Sequence, residues 1–161
     1  MRKAIVTFLI LCSVLNLIEM EVRYHPYEYL YYNSLAGSRT NVAHILGKDD
    51  VSDYWAISYR QGLKWLNANA VPNAYLYTPV AGHLVDITQR IWLRSDITPI
   101  NRVQLDEIHR TNSPIYVMFI NRPAFFDDIA SMCEENLSPV YELNLLDTTL
   151  MQVYRIDQGK N

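Results

Sequence analysis

The sequence predicts a small layered α/β domain with a C-terminal β-hairpin, preceded by one N-terminal membrane helix. Three observations carry this expectation. Residues 4–18 hold no charge and follow the basic start Met1-Arg2-Lys3. The run Ile115–Ile120 is continuously apolar and bounded by Pro114 and Asn121, the pattern of a strand buried on both faces. Segments of helical period alternate with short strand-like runs between residues 51 and 156, which is the ordering of a layered α/β fold.

The apolar start has competing readings. As a helix, residues 4–18 span about 22 Å, short of a ~30 Å hydrocarbon core. A secretory signal peptide shares the basic start and apolar stretch, yet Glu19-Met20-Glu21-Val22-Arg23 offers no small-residue cleavage site. A membrane helix can extend through Met20, with Arg2 and Lys3 reaching back to the boundary. A buried helix of a soluble protein is the third reading. The anchor reading, over residues 1–23, keeps the basic end cytoplasmic and sends the remainder out of the cytoplasm as a single-pass protein.

Residues 24–50 form a Tyr-rich interfacial segment and a connection. Tyr24, Tyr27, Tyr29, Tyr31 and Tyr32 follow the apolar stretch closely, and tyrosine suits the membrane–water boundary because its ring is apolar and its hydroxyl seeks water. The alternation at 27, 29 and 31 equally fits a β-strand. Gly37, Gly47 and Asp49-Asp50 mark a loop, with one short helix around residues 42–46.

The domain proper is expected over residues 51–156, with a polar tail at 157–161. Ser52 or Asp53 can cap a helix running through Asn67, whose face carries Tyr54, Trp55, Ile57, Tyr59, Leu63, Trp65 and Leu66. Residues 74–78 read as a strand stopped by Pro79. Residues 80–94 and 102–110 read as helices, Ile115–Ile120 as the central strand, and residues 124–135 as a helix with Asp127-Asp128 in its first turn. Residues 140–145 and 150–156 close the chain as a hairpin around residues 146–149.

Composition limits function. The 161 residues carry 14 Lys+Arg against 17 Asp+Glu, leaving no positive surplus for nucleic acid. Two cysteines, Cys12 and Cys133, do not make a disulfide scaffold or a cysteine-built zinc site. No phosphate-cradling glycine loop and no nucleophile elbow is present. The four histidines lack metal-ligand spacing in sequence, so no metal, cofactor or catalytic residue is expected. Asp49, Asp50 and Asp53 could be catalytic carboxylates but suit capping better. Tyr54, Trp55 and Tyr59, with Asp53, are candidate contacts for a ligand or acceptor, since exposed aromatic faces stack on sugar rings. Core packing of the same aromatics is the competing reading.

Two stretches together resemble a known family. His25-Pro26-Tyr27-Glu28-Tyr29-Leu30-Tyr31-Tyr32-Asn33, ending in Leu35-Ala36-Gly37, resembles the segment after the last membrane helix of multi-spanning glycosyltransferases, the prokaryotic relatives of dolichyl-phosphate-mannose protein mannosyltransferases and aminoarabinose transferases. Asp53-Tyr54-Trp55-Ala56-Ile57-Ser58-Tyr59-Arg60 continuing to Trp65-Leu66-Asn67 resembles a second segment of those proteins. The resemblance implies the C-terminal part of such an enzyme: its last membrane helix and the extracytoplasmic domain behind it. Such enzymes transfer a sugar from a polyprenyl-phosphate donor, using an acidic residue in a loop after their first membrane helix. With one candidate span and no such loop, this chain inherits no catalytic residue. The expected role is accessory or fragmentary, in partnership with a lipid bilayer, the membrane-spanning catalytic part of a transferase, and a glycan or lipid-linked sugar. A non-enzymatic tethered module that binds glycan or protein is the alternative.

Overall fold

A computed structural model describes residues 2–31, 42, 47, 49–108, 114–146 and 148–157. Helix α1 (Arg2–Tyr24) is 23 residues long, roughly 34 Å at about 1.5 Å per residue. It is long and apolar enough to cross a membrane. Its length exceeds the expected apolar stretch because Glu19 and Arg23 pair one turn apart at 2.5 Å and extend the helix through its polar end. Within the apolar part, the hydroxyls of Thr7 and Ser13 donate to Lys3 O and Leu9 O at 3.0 Å, so neither needs water. Ile5, Phe8, Leu9, Leu11 and Leu17 are all exposed along α1, a surface that water solvates poorly and lipid solvates well.

After a 3-10 turn (Glu28–Leu30), the strand expected at Tyr27, Tyr29 and Tyr31 does not form. Burial decides the conformation. Tyr24, Tyr27 and Leu30 pack together against Leu145 and Leu150, which a two-fold alternation could not bring to one side. The short helix expected around residues 42–46 lies outside the described residues except for Val42, which is buried.

The domain is a five-stranded sheet in the order β2-β1-β3-β5-β4. Its strands are β1 (Tyr75–Tyr77), β2 (Thr98–Ile100), β3 (Ile115–Ile120), β4 (Tyr141–Leu145) and β5 (Thr148–Ile156). β1 pairs in parallel with β2 and β3, while β5 runs antiparallel to β3 and β4. As its continuous apolar run predicts, β3 is central and buried at every position. β2 has no counterpart in the sequence reading. Pro99 argues against a strand there, yet β2 lies at the sheet edge, where a missing N–H costs no ladder bond.

Helices cover both faces. Alternate residues of β3 point to opposite layers, so Tyr116 meets Trp65 of α2 (Tyr59–Asn69), while Phe119 meets Phe126 and Tyr154 behind the sheet. Leu63 and Leu66 of α2 are fully buried, each contributing about 1.5–3 kcal/mol. Gly62 lets α2 close on the sheet, since a Cβ there would sit 2.5 Å from Met118 Sδ and 2.8 Å from Met151 Cε. Helices α3 (His83–Trp92) and α4 (Arg102–Ile108) carry the chain from β1 to β2 and from β2 to β3. α5 (Asp128–Asn136) follows β3, burying Ala130 and Cys133.

Two helix boundaries differ from expectation. The helix expected from Ser52 or Asp53 begins only at Tyr59, because the Asp53 carboxylate accepts from the backbone N–H groups of Ile57 (3.1 Å) and Ser58 (2.6 Å) and holds a loop closed around itself. The helix expected over 124–135 divides into a 3-10 turn (Pro123–Phe125) and α5, whose N-cap is Asp127 accepting from Ala130 N at 2.8 Å.

Candidate functional site

The parallel strands β1, β2 and β3 end at the same edge of the domain, where β5 begins and the β4–β5 turn at Leu146 lies. α1 leaves at this end too, with Tyr24 and Tyr27 seated on Leu145 and Leu150. Asn121, just past β3, fastens the corner by donating from its N–H to Leu150 O at 2.9 Å and from Nδ2 to Thr149 O at 3.3 Å. In open α/β sheets the space beyond the carboxyl ends of the strands is where ligands bind.

The loop 53–58 opens onto this end. Asp53 is 0% exposed and its carboxylate takes a third donor, the Tyr29 hydroxyl. That bond joins the segment after α1 to the loop before α2. With its anchor satisfied, the loop turns outward at Tyr54 and Trp55, 62% and 66% exposed and edge to face with ring centroids 5.2 Å apart. Ala56 adopts φ 51° to make the reversal. The Arg122 guanidinium lies over the Tyr54 ring at 5.0 Å and over the Phe125 ring at 4.3 Å.

Beside Trp55 runs an apolar groove of about 270 Å³ between α2 and α3, walled by Trp55 and Trp92 and floored by Leu63 and Leu84. Arg60 stacks on the Trp92 ring at 4.1 Å. Tyr59 lines the groove but is buried, its hydroxyl bonded to Val80 O, and burial pushes that phenol well above its ordinary range. The four expected ligand contacts therefore lie on one loop and the first residue of α2 but are not equivalent. Tyr54 and Trp55 offer exposed faces, Tyr59 is the groove's inner wall, and Asp53 is the loop's internal fastening, not a surface carboxylate.

The expected interfacial tyrosines also divide. Tyr24 and Tyr27 are buried inside the protein, and burial raises the Tyr27 phenol. Tyr29 and Tyr31 are each 39% exposed, Tyr31 standing edge-on to Tyr24 at 5.2 Å. Tyr32 lies outside the described residues.

A second, polar cavity of about 310 Å³ lies beyond β1 and β2 on the other side of α3, lined by Thr78, Gly82, His83, Asp86, Asn101 and Arg102. Thr78 Oγ1 is buried there with no partner. Arg102 is held by Asp106 at 3.0 Å and Asp128 at 2.7 Å. Tyr77 donates to Asp127, its phenol raised by burial and then by that carboxylate.

None of these places assembles a nucleophile with a base among the described residues. Asp49 Oδ1 accepts from Ala124 N at 3.2 Å and ties a loop. Cys133 is buried, and burial pushes its thiol up to about 12, which leaves it protonated and inert. Glu21, His25 and Glu28 bring three ligand atoms within 4.8 Å at the end of α1. All three are exposed, and the His25 Nδ1–Glu28 Oε1 contact of 2.6 Å accounts for part of their approach. The i,i+4 spacing of Glu21, in α1, and His25, the residue just past its end, was the available sequence signal for this group. Arg122 had little, because of its two ring partners only Phe125 is near in sequence and Tyr54 is brought to it by the fold.

Comparison with known proteins finds no matching family model, no matching curated protein and no matching solved structure.

Proposed function

We propose that this chain is a membrane-anchored accessory domain that holds a lipid-linked sugar at the bilayer surface for a separate transferase, and transfers nothing by itself. The observation that carries the reading is the Trp55–Trp92 groove, whose Trp55 wall stands on the loop that Asp53 fastens to Tyr29 in the segment after α1. A groove walled by indoles suits the apolar faces of a sugar ring or the first units of an isoprenoid chain. The bond between Tyr29 and Asp53 adds support, because it joins the two segments in which the chain resembles the C-terminal part of multi-spanning glycosyltransferases. Retention of α1 as an anchor, and not as a cleaved leader, is supported by Tyr24, which completes the apolar cluster at Leu145 and Leu150. The basic Arg2-Lys3 end supports an orientation with the domain outside the cytoplasm.

The test titrates the full chain in detergent micelles with a polyprenyl-phosphate sugar and reads tryptophan emission. Saturable binding that Trp55→Ala or Trp92→Ala weakens is the expected result. Sugar transfer by the purified chain alone would overturn the accessory reading. A tethered module for a protein partner is the second reading, favoured by Ile87 and Ile91, exposed side by side on α3 next to the groove. Binding that survives alanine at Tyr54, Trp55 and Tyr59 together would leave that second reading in place and remove the first.

A further inference from the structure

We infer that the end of the domain around Arg122 is a second membrane contact, in which the guanidinium takes a phospholipid headgroup phosphate while flanking side chains enter the bilayer interface. Arg122 is unlike the arginines that pair elsewhere in the chain. Arg23, Arg94, Arg102 and Arg155 each bond a carboxylate. Among the described residues nothing accepts a hydrogen bond from the Arg122 side chain: its Nε is buried and unpartnered, and only the rings of Tyr54 and Phe125 hold the guanidinium. A guanidinium positioned by ring faces keeps its donor fork free, and that fork matches phosphate oxygens two at a time.

What surrounds it fixes the partner. Tyr54, Trp55, Phe125 and Leu146 are large, apolar and exposed, and all lie at the end of the sheet where α1 leaves. Leu146 is 57% exposed at the tip of the β4–β5 turn, beside Leu145, which packs under Tyr24. Aromatic rings with an arginine among them, next to a bilayer-spanning helix, are the composition of a membrane–water boundary. The contact is continuous with the anchor, so docking costs no search through solution and needs only a small gain per residue. It sets the Trp55 end of the groove at headgroup depth.

The inference rests on α1 spanning the bilayer, which resistance of the wild-type chain to alkaline extraction from membranes tests separately. Docking is read in nanodiscs of phosphatidylcholine, with and without phosphatidylglycerol, containing lipids brominated just below the headgroup. The Trp55 emission, taken as the difference between wild type and Trp55→Phe, is expected to be quenched, and more so with the anionic lipid. Arg122→Gln should lower the docked-to-free ratio about fivefold. Phe125→Ser with Leu146→Ser, both changes at exposed positions, should lower it independently. Thermal unfolding should be unchanged in both variants. An unquenched wild type would overturn the inference, as would quenching indifferent to both variants. So would loss of quenching when inorganic phosphate replaces chloride at equal ionic strength, which would assign the guanidinium to a soluble anion. Weakened sugar binding with intact docking, or the reverse, separates this contact from the function proposed for the groove.

Discussion

The two ends of the sheet treat an arginine in opposite ways. At the amino end of β1 and β2, Arg94 is fully engaged: Nε bonds Asp96 at 2.5 Å, Nη1 bonds Asn67 O at 2.7 Å and Nη2 bonds Ala70 O at 2.9 Å. Asn67 in turn donates to Trp92 O, and Asp96 accepts from Asn73 N at 3.1 Å. At the carboxyl end, the Arg122 guanidinium touches rings and finds no hydrogen-bond acceptor among the described residues. The same side chain closes loops at one end and faces outward at the other. Polar groups of Arg94 are satisfied within the fold, whereas the Arg122 guanidinium is held by ring faces alone.

The comparison breaks most easily at the seam between the α1 segment and the domain. Asp53→Ala removes a buried acceptor and strands the N–H groups of Ile57 and Ser58 and the Tyr29 hydroxyl, for a loss of about 3 kcal/mol or more in denaturant unfolding. Gly82→Ala is next, at about 1–3 kcal/mol, because the new Cβ would sit 2.5 Å from the backbone carbonyl of Thr78. Gly62→Ala should cost less, as the atoms it meets are the movable ends of Met118 and Met151. Arg94→Ala should lower the melting temperature, because it removes the donors bonded to Asp96, Asn67 O and Ala70 O, but by less than Asp53→Ala or Gly82→Ala since the pair is partly solvated. Arg122→Ala should change stability by less than about 0.5 kcal/mol while weakening docking as Arg122→Gln does. Equal losses at Arg94 and Arg122 would erase the distinction between the two ends.

The smallest effect is in acid. Arg94 holds the Asp96 carboxyl below the usual carboxylate range. A depressed folded-state pKa contributes stability that is present above the unfolded value and is lost as pH falls through the folded one. Melting temperatures of wild type and Asp96→Asn should therefore differ at neutral pH and converge below about pH 4.

The fold was legible where burial follows from local pattern. The unbroken apolar run of β3 announced a central strand, and the stripe at Leu63 and Leu66 announced α2. It was not legible where a distant partner decides. β2 depends on β1 to make an edge that tolerates Pro99, and the 3-10 turn after α1 depends on Leu145 and Leu150 to bury Tyr24 and Tyr27. The start of α2 was obscured because Asp53 reads as a helix cap and instead spends its carboxylate on a longer loop. Of the candidate site, the aromatic pair Tyr54-Trp55 could be found from composition, whereas Arg122 could not, since nothing near it in sequence announces the Tyr54 ring.

The burial of Tyr24 and Tyr27 against the hairpin also has a mechanical side. A domain strung on a flexible leash would sample every heading above the bilayer. Here the last turn of α1 is keyed into the β4–β5 hairpin, so the helix works as an axle: a change in its tilt or a rotation about its own axis swings the groove through the same angle. With α1 spanning a bilayer, as proposed, bilayer thickness or a neighbouring helix that turns α1 would acquire leverage on where the groove points.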